Sequence, residues 1–134
     1  MATVLITGTS KGIGLSTALA FARAGYKVAA AMRNPAAAPE LKNTASEENL
    51  DITVYKIDVD SDTSVTEGVD LINKEMGSID VLVNNAGIER MGTVEELKLE
   101  GFRAVMETNY FGVIRCVQAV LPGMIKRRSV TSLI

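Results

Sequence analysis

Histidine is absent from the 134 residues, and cysteine occurs once, as Cys116. The first absence removes the usual general base and the usual metal ligand, so Ser-His triads and metal chemistry lose support and no metal site is assigned. The second excludes an internal disulfide. Charge of neither sign dominates: a formal net charge of -2 gives no electrostatic footprint for nucleic acid. The basic run Lys126-Arg127-Arg128 reads as a helix C-terminus that complements the macrodipole. No apolar run reaches the roughly 18 residues of a membrane span. The N-terminus enters a strand directly, with no charged-then-apolar leader. These absences lead to the expectation of a soluble cytoplasmic protein that binds neither nucleic acid nor membrane.

What is present is a chain that is 47% apolar, enough to bury a core as one domain spanning 1-134. It is organised around Thr7-Gly8-Thr9-Ser10-Lys11-Gly12-Ile13-Gly14. Before these glycines, Thr3-Val4-Leu5-Ile6-Thr7 is short and β-branched; after them, Ile13, Thr17, Ala20, Phe21 and Ala24 recur at helical spacing. A strand that feeds a helix through glycines aims the helix's unpaired N-H groups at whatever lies above the strand end, which makes an anion site. Gly8 would permit the tight turn, Gly12 the approach of a pyrophosphate, and Gly14 close packing of the helix. The Gly-x-x-x-Gly-x-Gly spacing lacks the Gly-Lys-Ser/Thr of a P-loop, which disfavours NTP hydrolysis. A glycine-rich turn without a ligand is the plainer alternative.

Further along, Lys27-Met32 reads as a second strand and Ile52-Ile57 as a third, with a loop and a short helix between them. Ser61 or Asp62 caps a helix that ends at Gly77, and Ile79-Val83 is a fourth strand. From Leu99 to about Arg127, Phe102, Val105, Met106, Asn109, Val113, Val117 and Val120 keep one face of a single long helix apolar, with Pro122 kinking its end. Strands alternating with helices predict an α/β fold: a doubly wound parallel sheet in three α/β/α layers. Such sheets bind ligands past the carboxyl ends of their strands. Those ends carry the glycine turn, Met32-Arg33, Asp58-Val59 and Asn84-Asn85-Ala86-Gly87. Singly, Arg33 could be a solvated charge, Asp58 a helix cap and Asn85-Ala86-Gly87 a tight turn.

Jointly, these motifs, with Asn109 followed by Gly112, make the sequence from Thr3 to about Arg127 resemble the short-chain dehydrogenase/reductase family. The resemblance implies a Rossmann-like fold, here cut off after the fifth helix or at the start of strand five, and hydride transfer between a nicotinamide cofactor and a carbonyl or alcohol. By the same resemblance Gly8, Ser10, Lys11, Gly12, Ile13 and Gly14 would contact the cofactor. Asp58 and Val59 would face the adenine, and Asn85, Ala86 and Gly87 would floor the nucleotide pocket. Asn109 would hold a water in a proton relay, the plainer view being a buried amide bonded to a neighbouring strand. Dimers or tetramers paired through the long helix are also implied.

An NAD enzyme usually places an acid at the end of strand two for the ribose 2′-OH, whereas Met32 and then Arg33 stand here, which favours NADP and NADPH over NADH. Lys11 is either a second cation for the 2′-phosphate or a solvated loop charge. The family's tyrosine and the lysine four residues later are missing: Tyr26, Tyr55 and Tyr110 are followed at that distance by Ala30, Val59 and Ile114. Val130-Thr131-Ser132 resembles the end of a fifth strand with residues missing before it, which would make Ser132 the catalytic serine; chance similarity is the other reading. Two functions stay open: the cofactor-binding portion of an NADP-dependent oxidoreductase, or a non-catalytic nucleotide-binding or dimerising module natural at this length.

Overall fold

A computed structural model describes residues 1–133. Five strands, β1 (Thr3–Thr7), β2 (Lys27–Met32), β3 (Ile52–Lys56), β4 (Val81–Val83) and β5 (Ser132–Leu133), form one sheet. Their order is β3-β2-β1-β4-β5, and each neighbouring pair is parallel. The chain therefore winds outward from β1 to β3, then crosses back and continues from β4 on the other side. The reversal falls between β1 and β4, where Val4 pairs with Val28 on one side and Val81 on the other. A crevice opens at such a switch point, above the carboxyl ends.

Successive residues of a strand point to opposite faces, so each face needs its own cover. Val4, Ile6, Val28, Ala30 and Met32 pack against Leu15, Ala18 and Ala22 of α1 (Gly12–Arg23) and Leu41 of α2 (Glu40–Glu47). Leu5, Ala29, Ala31, Tyr55 and Leu82 pack against Val65, Val69 and Ile72 of α3 (Asp62–Met76) and against Cys116, Val120 and Met124 of α5 (Gly112–Lys126). The result is the expected three-layer, doubly wound sheet.

Some local expectations are corrected and others sharpened. The buried face of α1 is Gly14, Leu15, Ala18 and Ala22, whereas Ile13 is 78% exposed and Ala20 and Ala24 lie outside. This helix is apolar nearly all round, so periodicity alone could not choose between its rows. Residues 35–47 hold a 3₁₀ turn (Pro35–Ala37) followed by α2, and β4 is three residues long rather than five. Ser61 is the cap of α3, its Oγ accepting from Ser64 N at 3.2 Å. The long helix is not uniform: α4 (Leu99–Met106) passes into a wide π turn, Glu107–Phe111, before α5, which continues through Pro122 to Lys126.

Two buried acids should make the fold alkali-sensitive. Burial pushes the Cys116 thiol up to about 11, and burial together with Glu75, whose carboxylate accepts the Tyr55 hydroxyl at 2.7 Å, raises Tyr55 above its ordinary value. An acid raised in the folded state ionises first in the unfolded chain, so its stability contribution is complete at neutral pH and falls as pH passes the unfolded value of about 9 toward 11. Urea unfolding should show Cys116 alone removing about 1 kcal/mol between pH 7 and pH 10. Cys116→Ala starts less stable but should lose less over that interval; an unchanged pH dependence would contradict the assignment.

Candidate nucleotide-binding site

The glycine turn is held from both sides at the switch point. Toward β2, both the amide and the hydroxyl of Thr9, a fully buried residue, donate to the Ala31 carbonyl, at 3.1 and 3.0 Å. Gly8 and Gly12 have φ of +69° and +60°, a left-handed backbone that side chains disfavour. Lys11 is the N-cap of α1 and no side chain caps the helix, so its first-turn N-H groups are not claimed by a side chain. A Cβ added to Gly12 would meet nothing within 4 Å, so a ligand has open space there.

Toward β4 the turn is tied by a reciprocal knot. Thr7 Oγ1 accepts from the amides of Asn85 (3.1 Å) and Ala86 (3.0 Å) and donates to Val83 O at 3.5 Å. In return, Asn85 Nδ2 donates to the carbonyls of Thr7 (3.1 Å) and Gly8 (3.0 Å). The packing is as close as the bonding: a Cβ on Gly8 would lie 2.8 Å from Ala86 Cα, and one on Gly14 would collide with Gly8 O. Both Asn85 amide hydrogens are therefore spent on shaping the turn. Thr7, to which the sequence assigned no role beyond ending the strand, is the acceptor on which the knot closes. A buried hydroxyl at a strand's carboxyl end was the available signal.

The remaining candidates lie around this centre. Asp58, two residues past β3, accepts from Asp60 N at 3.0 Å, its own amide donating to Ser64 Oγ at 2.9 Å; Val59 beside it is buried. Arg33 is exposed, two residues past the Thr7–Ala31 pairing, and Lys11 is exposed on the turn. Ser10 is half-buried, and Ile13 projects from the start of α1. Asn109 is exposed and bonds the loop after β4 rather than a strand: Oδ1 accepts from Ile88 N and Nδ2 donates to Ile88 O, both at 2.8 Å. A Cβ on Gly87 would lie 3.3 Å from that Oδ1. Ser132 pairs with Leu82 in the middle of β4, and its Oγ accepts from Asn84 Nδ2 at 3.3 Å.

A glycine turn, a strand-end amide knot and an open helix N-terminus meet at one switch point, and a family model described as short chain dehydrogenase matches residues 2–132. The chain belongs to that oxidoreductase family. It is similar to retinol dehydrogenase 8 of Bos taurus, with 44% identity over 94% of this chain and 41% of that protein. Gluconate 5-dehydrogenase of Gluconobacter oxydans is 37% identical, over 94% of this chain and 49% of the enzyme. Among solved structures, a gluconate 5-dehydrogenase from Burkholderia cenocepacia J2315 in complex with NADP and tartrate superposes with a TM-score of 0.86 at 34% identity, covering 94% of this chain and 49% of that one. An alcohol dehydrogenase from Thermococcus sibiricus complexed with 5-hydroxy-NADP gives 0.89 at 31% identity, covering 98% and 56%. The chain thus spans about half the length of these short-chain dehydrogenase relatives.

Thr7→Val keeps the shape of Thr7 but removes the acceptor of two part-buried amides, of which Asn85 N keeps Val83 O as a second acceptor at 3.1 Å while Ala86 N loses the Thr7 hydroxyl. Urea unfolding should show a loss of about 1 kcal/mol, typical of leaving one part-buried donor without its partner, with most of it recovered in Thr7→Ser. Wild-type stability in Thr7→Val would mean that the knot does not hold the turn.

Proposed function

We propose that this chain is the cofactor-binding portion of an NADP-dependent oxidoreductase that moves hydride between NADP(H) and a carbonyl or alcohol. The observation that carries the reading is the glycine turn knotted to Asn85 beside a second strand that ends in Met32-Arg33 without an acid. The residues present suit such a cofactor. The α1 N-terminus and the open side of Gly12 would take the pyrophosphate, with Ser10, Ile13 and Gly14 completing the turn, and Arg33 with Lys11 the 2′-phosphate. Asp58 and Val59 would face the adenine, above a floor of Asn85, Ala86 and Gly87. The NADP-type ligands of the two solved neighbours support this choice.

Bound NADPH would supply the hydride; the chain's own part is to hold it and place one element of a proton path. Asn109 spends one donor and one acceptor on Ile88, which leaves it one N-H and one lone pair for a water. Ser132, opposite Leu82, would have to shift toward the strand end to reach a substrate oxygen. The acid itself is expected from a Tyr-x-x-x-Lys segment that these 134 residues do not contain. We assign the activity to a longer polypeptide acting in the cytoplasm; the alternative, a nucleotide-binding module without chemistry, predicts a natural protein whose intact mass corresponds to these residues alone.

Fluorescence titration should show NADPH binding more tightly than NADH. Arg33→Ala should weaken NADPH about 10- to 100-fold through loss of a charge-assisted bond while leaving NADH nearly unchanged, and equal affinities in the wild type would sink the preference. With aldehydes or ketones added, the 134-residue chain should consume no NADPH.

We also infer a homo-oligomer. Leu99 (59% exposed), Met106 (50%), Tyr110 (53%) and Phe111 lie at the surface of α4 and the π turn, an apolar concentration suited to a second copy. Sedimentation at micromolar concentration should detect dimers or larger species, and a clean monomer would contradict the inference.

A further inference from the structure

Arg115, in the first turn of α5, touches three separate parts of the molecule. Its Nη1 donates to Val59 O at 3.1 Å and lies 3.5 Å from Glu107 O; its Nε pairs with the Asp62 carboxylate and its Nη2 with that of Glu107. The fork thus joins the loop after β3, the start of α3 and the π turn. Two other contacts cross the same seam. Thr108 Oγ1 donates to Asp60 Oδ1 at 2.7 Å, and Gly112 lies so close to Val59 that a Cβ would come within 2.9 Å of Val59 Cγ2.

We propose that Arg115 is a positioning residue that locks the loop Asp58–Asp62 to the widened turn carrying Asn109. The proposal rests on the nucleotide-binding reading above for its functional half: the loop would face the adenine, and Asn109 the proton path. A π turn is a departure from the α-helix and persists only where its surroundings favour it. Here Glu107 O accepts from Gly112 N in the wide register and also faces the Arg115 guanidinium, whose second nitrogen holds the Glu107 carboxylate. Rewinding this turn to an α-helix would change the register by one residue, rotating α4 and Asn109 by about 100° relative to α5. Asn109 would then leave Ile88. A planar fork with five donors can hold a carbonyl and two carboxylates together, whereas a lysine ammonium offers a single point charge.

The test follows the Ile88 amide, because its hydrogen bond goes to Asn109 Oδ1 and its exchange rate reads that clamp directly. In nucleotide-free protein, Arg115→Met, which keeps the apolar stem, should speed Ile88 exchange at least 10-fold while the Ile6 amide in β1 stays protected. Arg115→Lys should fall between the two. Arg23→Met, which breaks the exposed Arg23–Glu48 pair in the opposite layer, should leave Ile88 unchanged. In the binding arm, Arg115→Met should weaken 2′,5′-ADP at least five-fold. Wild-type exchange at Ile88 in a folded Arg115→Met overturns the proposal; if that variant does not fold, wild-type exchange in Arg115→Lys does so. Failure of the unmutated protein to bind 2′,5′-ADP or NADPH would instead count against the nucleotide reading, leaving the exchange arm to judge the lock on its own.

Discussion

The site depends on one reciprocal interaction, the exchange of hydrogen bonds between Thr7 at the end of β1 and Asn85 at the end of β4. Neighbouring parallel strands share a ladder only within their length, and beyond it their ends diverge. At the switch point that divergence makes the crevice, so something other than the ladder must fix the two lips. Thr7 Oγ1 and Asn85 Nδ2 do this with backbone groups as partners on both sides, which sets the position of the Gly8 carbonyl and, through Gly14, the seat of α1. The helix N-terminus is thereby aimed by strand-end chemistry rather than by a cap of its own.

Legibility in the sequence follows the range of the interactions involved. The glycine turn, the alternation of strands and helices, and the residues at each strand end were readable because each depends on neighbours in the chain. Gly8 and Gly12 have the left-handed backbone, and Gly8 and Gly14 the close contacts, that only glycine accommodates. The buried face of α1 was not readable. With apolar residues on every side of that helix, the choice of Leu15 and Ala18 over Ile13 and Ala20 is made by the angle at which the knotted turn delivers it. The π turn at Glu107–Phe111 was equally hidden, since no local propensity distinguishes it from α-helix, and both its own partner Asp60 and the Asp62 and Val59 that hold Arg115 beside it lie some 50 residues earlier.

Asn109 and Ser132, the two candidates from the C-terminal half of the chain, are placed by different kinds of contact. Asn109 bonds both backbone groups of Ile88, so the helix and the loop after β4 are set relative to each other by one side chain. Ser132 occupies the free edge of β4, in register with Leu82, because the connection after α5 is short: Arg128 turns with a φ of +55° and its neighbour Ser129 donates back to Met124 O. Only three residues then separate that turn from the strand. A serine placed by so short a connection meets the middle of β4 and finds Asn84 there.

The distribution of tyrosines completes the argument about chemistry. Proton donation to a forming alkoxide is most effective from a group whose pKa lies near the working pH. Tyr55 is driven the other way, since burial and the Glu75 carboxylate both raise it. Tyr26 packs edge-on against Phe21 beneath the other face of the sheet, and Tyr110 lies edge-on to Phe111 on the apolar surface of the π turn. None carries a lysine four residues on, and no histidine exists to substitute. What these residues bring together at the strand ends is backbone N-H groups, small side chains and exposed cations, the groups that the proposed nucleotide seat calls for. A seat of that kind needs no titrating group, and so it can be assembled entirely in the part of the fold where acids and bases suited to catalysis are lacking.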